Sequence, residues 1–278
     1  MRVTHLSPSG EIGGAERVLL ECIRVARGVQ STVVTLGDGP LLAQARALGA
    51  EARFVEAPAS LAAAGDAFDS IGRVAGSLVP ALSSFPGFVQ RFSDALKTSE
   101  PDVVHSHGIK THVLAAMLRR RAPVVWHLHD YVSTRSVSSK LLRTLAHRCD
   151  LAIAVSGSIG EDARRVLPVS VPLVVIHNAI DTDRFVPDGP VLDLDDLSGL
   201  PPADVRTIRV GLPATFAKWK GHEVFLDAVA RLGDLDVRAY IIGGSVYQTR
   251  NSQWSRAELE AFLKGPHARR TKRLAEVA

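Results

Sequence analysis

Short apolar runs alternate with longer segments of helical periodicity along most of this 278-residue chain. The runs predict strands at Val3–Leu6, Ser31–Leu36, Ala52–Val55, Val103–His105, Val124–Leu128, Leu151–Val155 and Val171–Ile176. Between them, i, i+3, i+4 spacing predicts helices. Ala15–Arg27 carries Val18, Leu19, Cys22, Ile23 and Ala26 on one face, and Pro40–Leu48 is stopped by Gly49. Thr111–Arg121 and Lys140–Arg148 follow, then a helix capped by Ser156 and running to Val166. This order is that of βαβ units and a parallel sheet, so the fold class is α/β. The Ala-, Ser- and Gly-rich stretch from Pro58 to Ser99 predicts two helices. One has an apolar face of Phe85, Phe88, Val89 and Phe92 that either packs on the sheet or meets a lipid or hydrophobic acceptor.

The pattern breaks after Val186. Pro187, Pro190, Pro201 and Pro202 lie among Asp183, Asp188, Asp193, Asp195, Asp196 and Asp204, which reads as a linker over 187–206. A second series then begins, with strands at Ile208–Leu212 and Val237–Ile242 and helices at His222–Leu232 and Arg256–Lys264. Two βα units are too few for a doubly wound domain with its own core. The expected organisation is a domain at 1–186, a linker, and a partial second domain at 207–278.

Composition changes little in this picture. Length suits one large or two smaller domains, and 46% hydrophobic residues is ordinary for a globular protein. The net charge of +4 includes a basic cluster at Arg269, Arg270, Lys272 and Arg273. It gives no nucleic-acid groove, although an anionic substrate or peripheral membrane contact is compatible with it. Cys22 and Cys149 have no motif spacing and are expected to fill core on helices, as in a reducing cytoplasm. The N-terminus runs straight into a strand, which predicts no cleaved leader, and the uncharged stretch between Arg73 and Arg91 is too broken by Pro and Gly to span a bilayer.

The candidate chemistry lies at strand ends. His127-Leu128-His129-Asp130 closes one strand and His105-Ser106-His107-Gly108 closes the one before. Carboxyl ends of parallel strands are where open α/β sheets bind ligands. Alternation sends His127 and His129 to one face. Asp130 either orients a histidine or caps the next segment. Gly13-Gly14 lies between a strand and a helix start, where it serves as a tight turn or lets backbone N–H groups approach a phosphate.

In order along the chain, these residues resemble the family 4 glycosyltransferases of GT-B fold. The elements are Gly13-Gly14-Ala15-Glu16, Val104-His105-Ser106-His107-Gly108, Val125-Trp126-His127-Leu128-His129-Asp130, Ala154-Val155-Ser156, His177-Asn178-Ala179-Ile180-Asp181 with Phe185, Lys218-Trp219-Lys220-Gly221-His222, and Ile241-Ile242-Gly243-Gly244. The resemblance implies a complete N-terminal Rossmann-like domain on the acceptor side and an incomplete donor-side one. It implies retaining, metal-independent transfer from a UDP- or GDP-sugar to a glycan, lipid or small-molecule acceptor, with no cofactor beyond that donor. His129 takes the place of the histidine that faces the reacting sugar, with Asp130 beside it. Lys220, with Lys218 as a partial substitute for an arginine whose place is Ala214, neutralises the donor phosphates. Gly13, Gly14, Glu16, His107, Asn178, Gly243 and Gly244 are the further donor- or acceptor-binding positions.

One family element is missing from this sequence. A Glu-x7-Glu motif binds the donor in the second domain, and no two glutamates here are eight positions apart. The motif belongs beyond Ala278, so the expectation is a chain cut short, weakly active or inactive alone, with the basic stretch after Trp254 unlike the expected strand. Three competing readings are a non-catalytic fragment that binds acceptor or pairs with a partner, a nucleotide-sugar epimerase of similar fold, and a metal-dependent hydrolase built on the His-x-His pairs.

Overall fold

The computed structural model describes residues 1–59, 61, 85–118, 122–232, 235–244, 260–261 and 274–277. The chain divides into two units, Met1–Ala179 and Ile180–Ala278. Within the first, the predicted alternation becomes a parallel sheet. Its strands are β1 (Arg2–Ser7), β2 (Gln30–Thr35), β3 (Glu51–Phe54), β4 (Val103–His107), β5 (Val124–Leu128), β6 (Leu151–Ala154) and β7 (Leu173–Val175). The spatial order is β3-β2-β1-β4-β5-β6-β7. Strand order reverses between β1 and β4, and a crevice opens at the carboxyl ends of strands flanking such a point.

Helices α1 (Gly14–Val25), α2 (Pro40–Ala47), α3 (Phe85–Ser99), α4 (Ile109–Met117), α5 (Ser136–Leu145) and α6 (Gly157–Val166) connect the strands. Pro40 opens α2 at its first position, where the missing N–H costs nothing. The Ser156 hydroxyl accepts from the Ile159 amide and caps α6 as expected. Helix α5 starts four residues before the predicted Lys140 and gives way to a 3-10 turn at Ala146–Arg148. Helix α4 starts at Ile109, two residues before the predicted Thr111, because Gly108 at φ 112 makes the break between strand and helix.

One face of the sheet carries the larger core. Leu6, Val34, Val104, Trp126, Leu128, Ala152 and Ala154 pack there with Phe88 and Phe92 of α3, which are fully buried. The aromatic face of α3 therefore packs on the sheet rather than meeting lipid, and burying two phenylalanines contributes several kcal/mol. The second predicted helix of the 58–99 stretch lies outside the described residues. No helix among the described residues is long and apolar enough to cross a membrane.

The second unit has its own small sheet, in the order β10-β9-β8, with β8 at Ile208–Pro213, β9 at Val237–Ile242 and β10 at Leu274–Val277. Strand β10 corrects the reading of the C-terminal stretch as a tail without a strand, since Leu274–Val277 pairs in parallel with Ala239–Ile242. Both faces of this sheet are covered. Phe216 of the loop after β8 and Leu226 of helix α8 (His222–Arg231) pack on Ala239 and Ile241, while Leu194 and Leu200 pack on Tyr240. The predicted helix at Arg256–Lys264 lies outside the described residues apart from 260–261.

The stretch read as a linker is partly structured. It holds a helical turn, α7 (Leu194–Leu197), and the buried Asp195 ties it to the sheet. Asp195 accepts from the Tyr240 hydroxyl, from Arg238 and, at 3.1 Å, from Arg209, and it receives the Ala203 amide at 3.0 Å. The Tyr240 hydroxyl first, then Arg238, hold this carboxyl well below the usual carboxylate range against the opposing push of burial. A carboxyl depressed in the folded state contributes stability that is complete above its ordinary pKa and lost as pH falls below it. Asp195→Asn should therefore lower the melting temperature at pH 7 and leave a smaller difference from wild type at pH 3. An unchanged melting temperature at pH 7 would show that the pin is idle.

Candidate functional site

Parallel pairing in register decides what reaches the crevice. His5 of β1 lies opposite His105 of β4, and His107 of β4 lies opposite His127 of β5. Side chains alternate along each strand, so His5, His105, His107 and His127 share one face and His129, two residues past His127, joins them. The result is a cluster of five imidazoles at the carboxyl ends of three adjacent strands. His105 and His127 stack at 5.1 Å with 10° between their planes, and His127 and His129 stack at 4.4 Å. His5 closes the other side, 5.3 Å from His105 and 5.9 Å from His107 between ring centres.

Two contacts order the cluster. His105 Nε2 meets His127 Nδ1 at 3.1 Å, and His107 Nδ1 meets His129 Nε2 at 3.1 Å. In each, one ring donates and the other accepts. Burial keeps the rings neutral. His5 falls to about 4 through burial and then the charge of His127, His127 to about 3 through burial and then His129, and His129 to about 4 through burial. His105 and His107 lie well below the ordinary value for the same first reason, with neighbouring histidines adding to it. Two triads, His5–His105–His107 and His107–His127–His129, each offer three ring nitrogens within 4.8 Å of one another.

Of the predicted residues, His107 and His129 thus meet directly. Asp130 is exposed beside them and bonds none of these rings among the described contacts. The loop carrying both is held by a residue sequence reasoning missed. The Asp162 carboxylate of α6 is 3% exposed and accepts from the Val132 amide at 2.7 Å, the Ser133 amide at 3.0 Å and the Ser133 hydroxyl. Burial pushes this carboxyl up, but the Ser133 hydroxyl and the two amides outweigh it and hold it below the usual range. His5 was also missed. It carries no motif, and the available signal was its place on the strand that pairs with His105. His112 of α4 is a third, buried against Trp126 at 5.5 Å, with Nδ1 2.6 Å from the Ser106 hydroxyl.

The loop after β1 is built by its own carboxylate. Glu16, 2% exposed, accepts from the Gly13 amide and the Ser7 hydroxyl, each at 3.1 Å. Glu16 is thus engaged in shaping the loop, and it already faces the positive end of α1. Gly13 is buried and Gly14 exposed, and a Cβ on Gly14 would meet nothing within 4 Å, so the helix start is open to close approach. Asn178 is exposed beyond β7, at the far edge of the sheet.

In the second unit, Lys218–Lys220 forms a 3-10 turn that ends at Gly221, whose φ of 75 lies in the left-handed region and starts α8. Lys220 is exposed next to that helix start. Gly243, at φ 137, passes so close to Ala214 that a Cβ would sit 2.3 Å from its carbonyl oxygen, and Gly244 accepts from the Phe216 amide at 3.0 Å. These two glycines hold the loops after β8 and β9 together.

A sequence model of Glycosyltransferase Family 4 matches residues 12–184, well over half of the chain. The chain belongs to glycosyltransferase family 4. No curated protein sequence matches it. Among solved structures, HepE of Anabaena in complex with UDP and glucose is 21% identical with a TM-score of 0.73, over 100% of this chain and 69% of that one. HepE has also been solved with UDP and with UDP-glucose. Sucrose-phosphate synthase from Thermosynechococcus elongatus gives 15% and 0.72, over 100% and 70% of the two chains. UDP-N-acetylglucosamine 2-epimerase from Rickettsia bellii gives 14% and 0.57, over 100% and 68%. At such identities the likeness establishes the fold, which is of GT-B type; the family match selects the transferase over the epimerase.

The neutral cluster fixes a pH dependence for this family 4 protein. An imidazole whose folded pKa lies near 4, below its unfolded value near 6.5, binds fewer protons folded than unfolded between those limits. Its contribution to stability is complete above about pH 6.5 and falls by about 1.4 kcal/mol per pH unit below it. Several such rings act together, so chemical denaturation in chelator-containing buffer should show stability dropping steeply from pH 6.5 to 5. His127→Phe should flatten that slope. A stability curve level across this interval would mean that the rings are not buried as described.

Proposed function

We propose that this chain transfers a glycosyl group from a UDP-sugar to a hydroxyl of a glycan, lipid or small-molecule acceptor, with retention at the anomeric carbon and without a metal ion. The observation that carries the proposal is neutral His129 just past the carboxyl end of β5, one strand from the switch point, in a member of this family. The bond between the anomeric carbon and the diphosphate breaks, a bond to the acceptor oxygen forms, and the acceptor hydroxyl's proton passes to the departing diphosphate oxygen. A neutral imidazole supplies one donor and one acceptor to such a centre without adding a charge that would need compensation. His107 bonds His129 Nε2 and so sets which of its nitrogens carries the proton.

The leaving diphosphate needs cationic and N–H partners. Lys220 beside the first turn of α8 provides both kinds, since N–H groups of a first helical turn have no intrahelical acceptor. UDP is favoured as the leaving group because HepE, of like fold, is known with UDP and UDP-glucose. The open turn at Gly14 is assigned to sugar or acceptor contact, with Glu16 and Asp162 keeping the two loops of the first unit in shape.

Titration of the purified chain with UDP, followed by calorimetry, and release of UDP from UDP-glucose test this reading. Lys220→Ala should weaken UDP binding about 10- to 100-fold, the loss of one charge-assisted contact. His129→Ala should leave the UDP dissociation constant within about threefold while slowing sugar release about 100-fold or more. UDP that fails to bind the wild-type chain, or an His129→Ala variant that turns over normally, would sink the assignment.

A further inference from the structure

The imidazole cluster has more histidines than sugar transfer uses. Three of them, His5, His105 and His107, are left with nitrogens that point to a different ligand. Among the described residues, His5 Nδ1 and His107 Nε2 are buried without a hydrogen-bond partner, in side chains that are 4% and 1% exposed. A lone ring nitrogen in that state forfeits the solvation it had in water with nothing in return. His105 commits Nε2 to His127 and so keeps Nδ1 for another partner. One nitrogen from each of these three residues lies within 4.8 Å of the other two.

We propose that His5 Nδ1, His105 Nδ1 and His107 Nε2 form a binding site for a divalent transition-metal ion of the zinc, cobalt or nickel class. Three neutral imidazoles are the donor set such ions prefer, while magnesium and calcium require oxygen ligands. Bonds of about 2.1 Å place ligand nitrogens about 3.4 Å apart around a tetrahedral ion. The three rings therefore draw in from separations of up to 4.8 Å when the ion binds, and a fourth position stays open for water. His105, half-buried, leaves a way in.

The surroundings complete the arrangement. A metal-bound histidine is oriented by a partner on its other ring nitrogen. His105 has that partner in His127, and His107 has it in His129. With the ion on His107 Nε2, the proton of His107 must sit on Nδ1 and be donated to His129 Nε2. The ion would thus fix the tautomer of His129 from behind while taking no part in the transfer itself.

The test uses the full chain, stripped with chelator and then titrated with Co²⁺ and Zn²⁺. One equivalent should bind, and Co²⁺ should show the intense visible absorption of a tetrahedral nitrogen site. His5→Asn and, independently, the half-buried His105→Gln should each weaken metal binding about 100-fold or more while UDP affinity stays within about threefold, because neither residue belongs to the donor contacts. Absence of a stoichiometric ion, or binding that survives both substitutions and so belongs to exposed histidines such as His147 and His177, would overturn the site. UDP affinity is read in the same samples, so failure of the metal site and failure of the transferase reading give different results.

Discussion

Everything at the functional end of this protein depends on the register of three parallel strands. Pairing His5 with His105 and His107 with His127 sends all four rings to one face of the sheet, and the same alternation sends Leu6, Val104, Trp126 and Leu128 to the other. A one-residue slip of β4 would exchange these sets, burying imidazoles in the main core and exposing apolar side chains. The core and the site are therefore specified by a single constraint. The hydrophobic demand of one face, where Phe88, Phe92 and Trp126 are fully buried, pins the chemistry of the other.

Polar groups outside the cluster turn that register into a shaped surface. Carboxylates do this work at three points, and in each the acid is buried and accepts bonds from loop donors: Glu16 for the turn after β1, Asp162 for the loop after β5, and Asp195 for the stretch preceding β8. A buried carboxylate is costly unless fully bonded, and several charge-assisted bonds to one group make its loop geometry rigid. None of the three needs to touch a substrate to matter for one.

Much of this was legible in the sequence because it rests on periodicity. The strand bearing His127 has the predicted limits, and the shared face of His127 and His129 follows from counting by two. What escaped depends on partners distant in sequence. His5 looks like one polar residue in a short apolar run, and its meaning appears only when β1 pairs with β4 across about a hundred residues. Asp162 sits mid-helix and bonds a loop thirty residues away, which no local spacing encodes. The Pro- and Asp-rich stretch read as a linker because turn residues dominate it, yet one of its aspartates finds Arg209, Arg238 and Tyr240 in the neighbouring sheet. Leu274–Val277 was hidden by the basic residues before it, and strand addition to β9 needs only backbone groups.

The cluster itself is an argument about function. Buried neutral imidazoles stack and exchange two hydrogen bonds, but two of their nitrogens stay unmatched among the described residues. Apolar side chains of similar volume would fill the same space without that cost, as Leu and Val do on the opposite face. A local rule broken with no compensating contact in the fold marks a place where the compensation comes from something bound. For His129, at the open end of β5, a sugar hydroxyl can supply it. For His5 and His107, sealed from water, a sugar would have to reach behind the outer rings, whereas a metal ion needs only one nitrogen from each of three rings that already lie within 4.8 Å of one another.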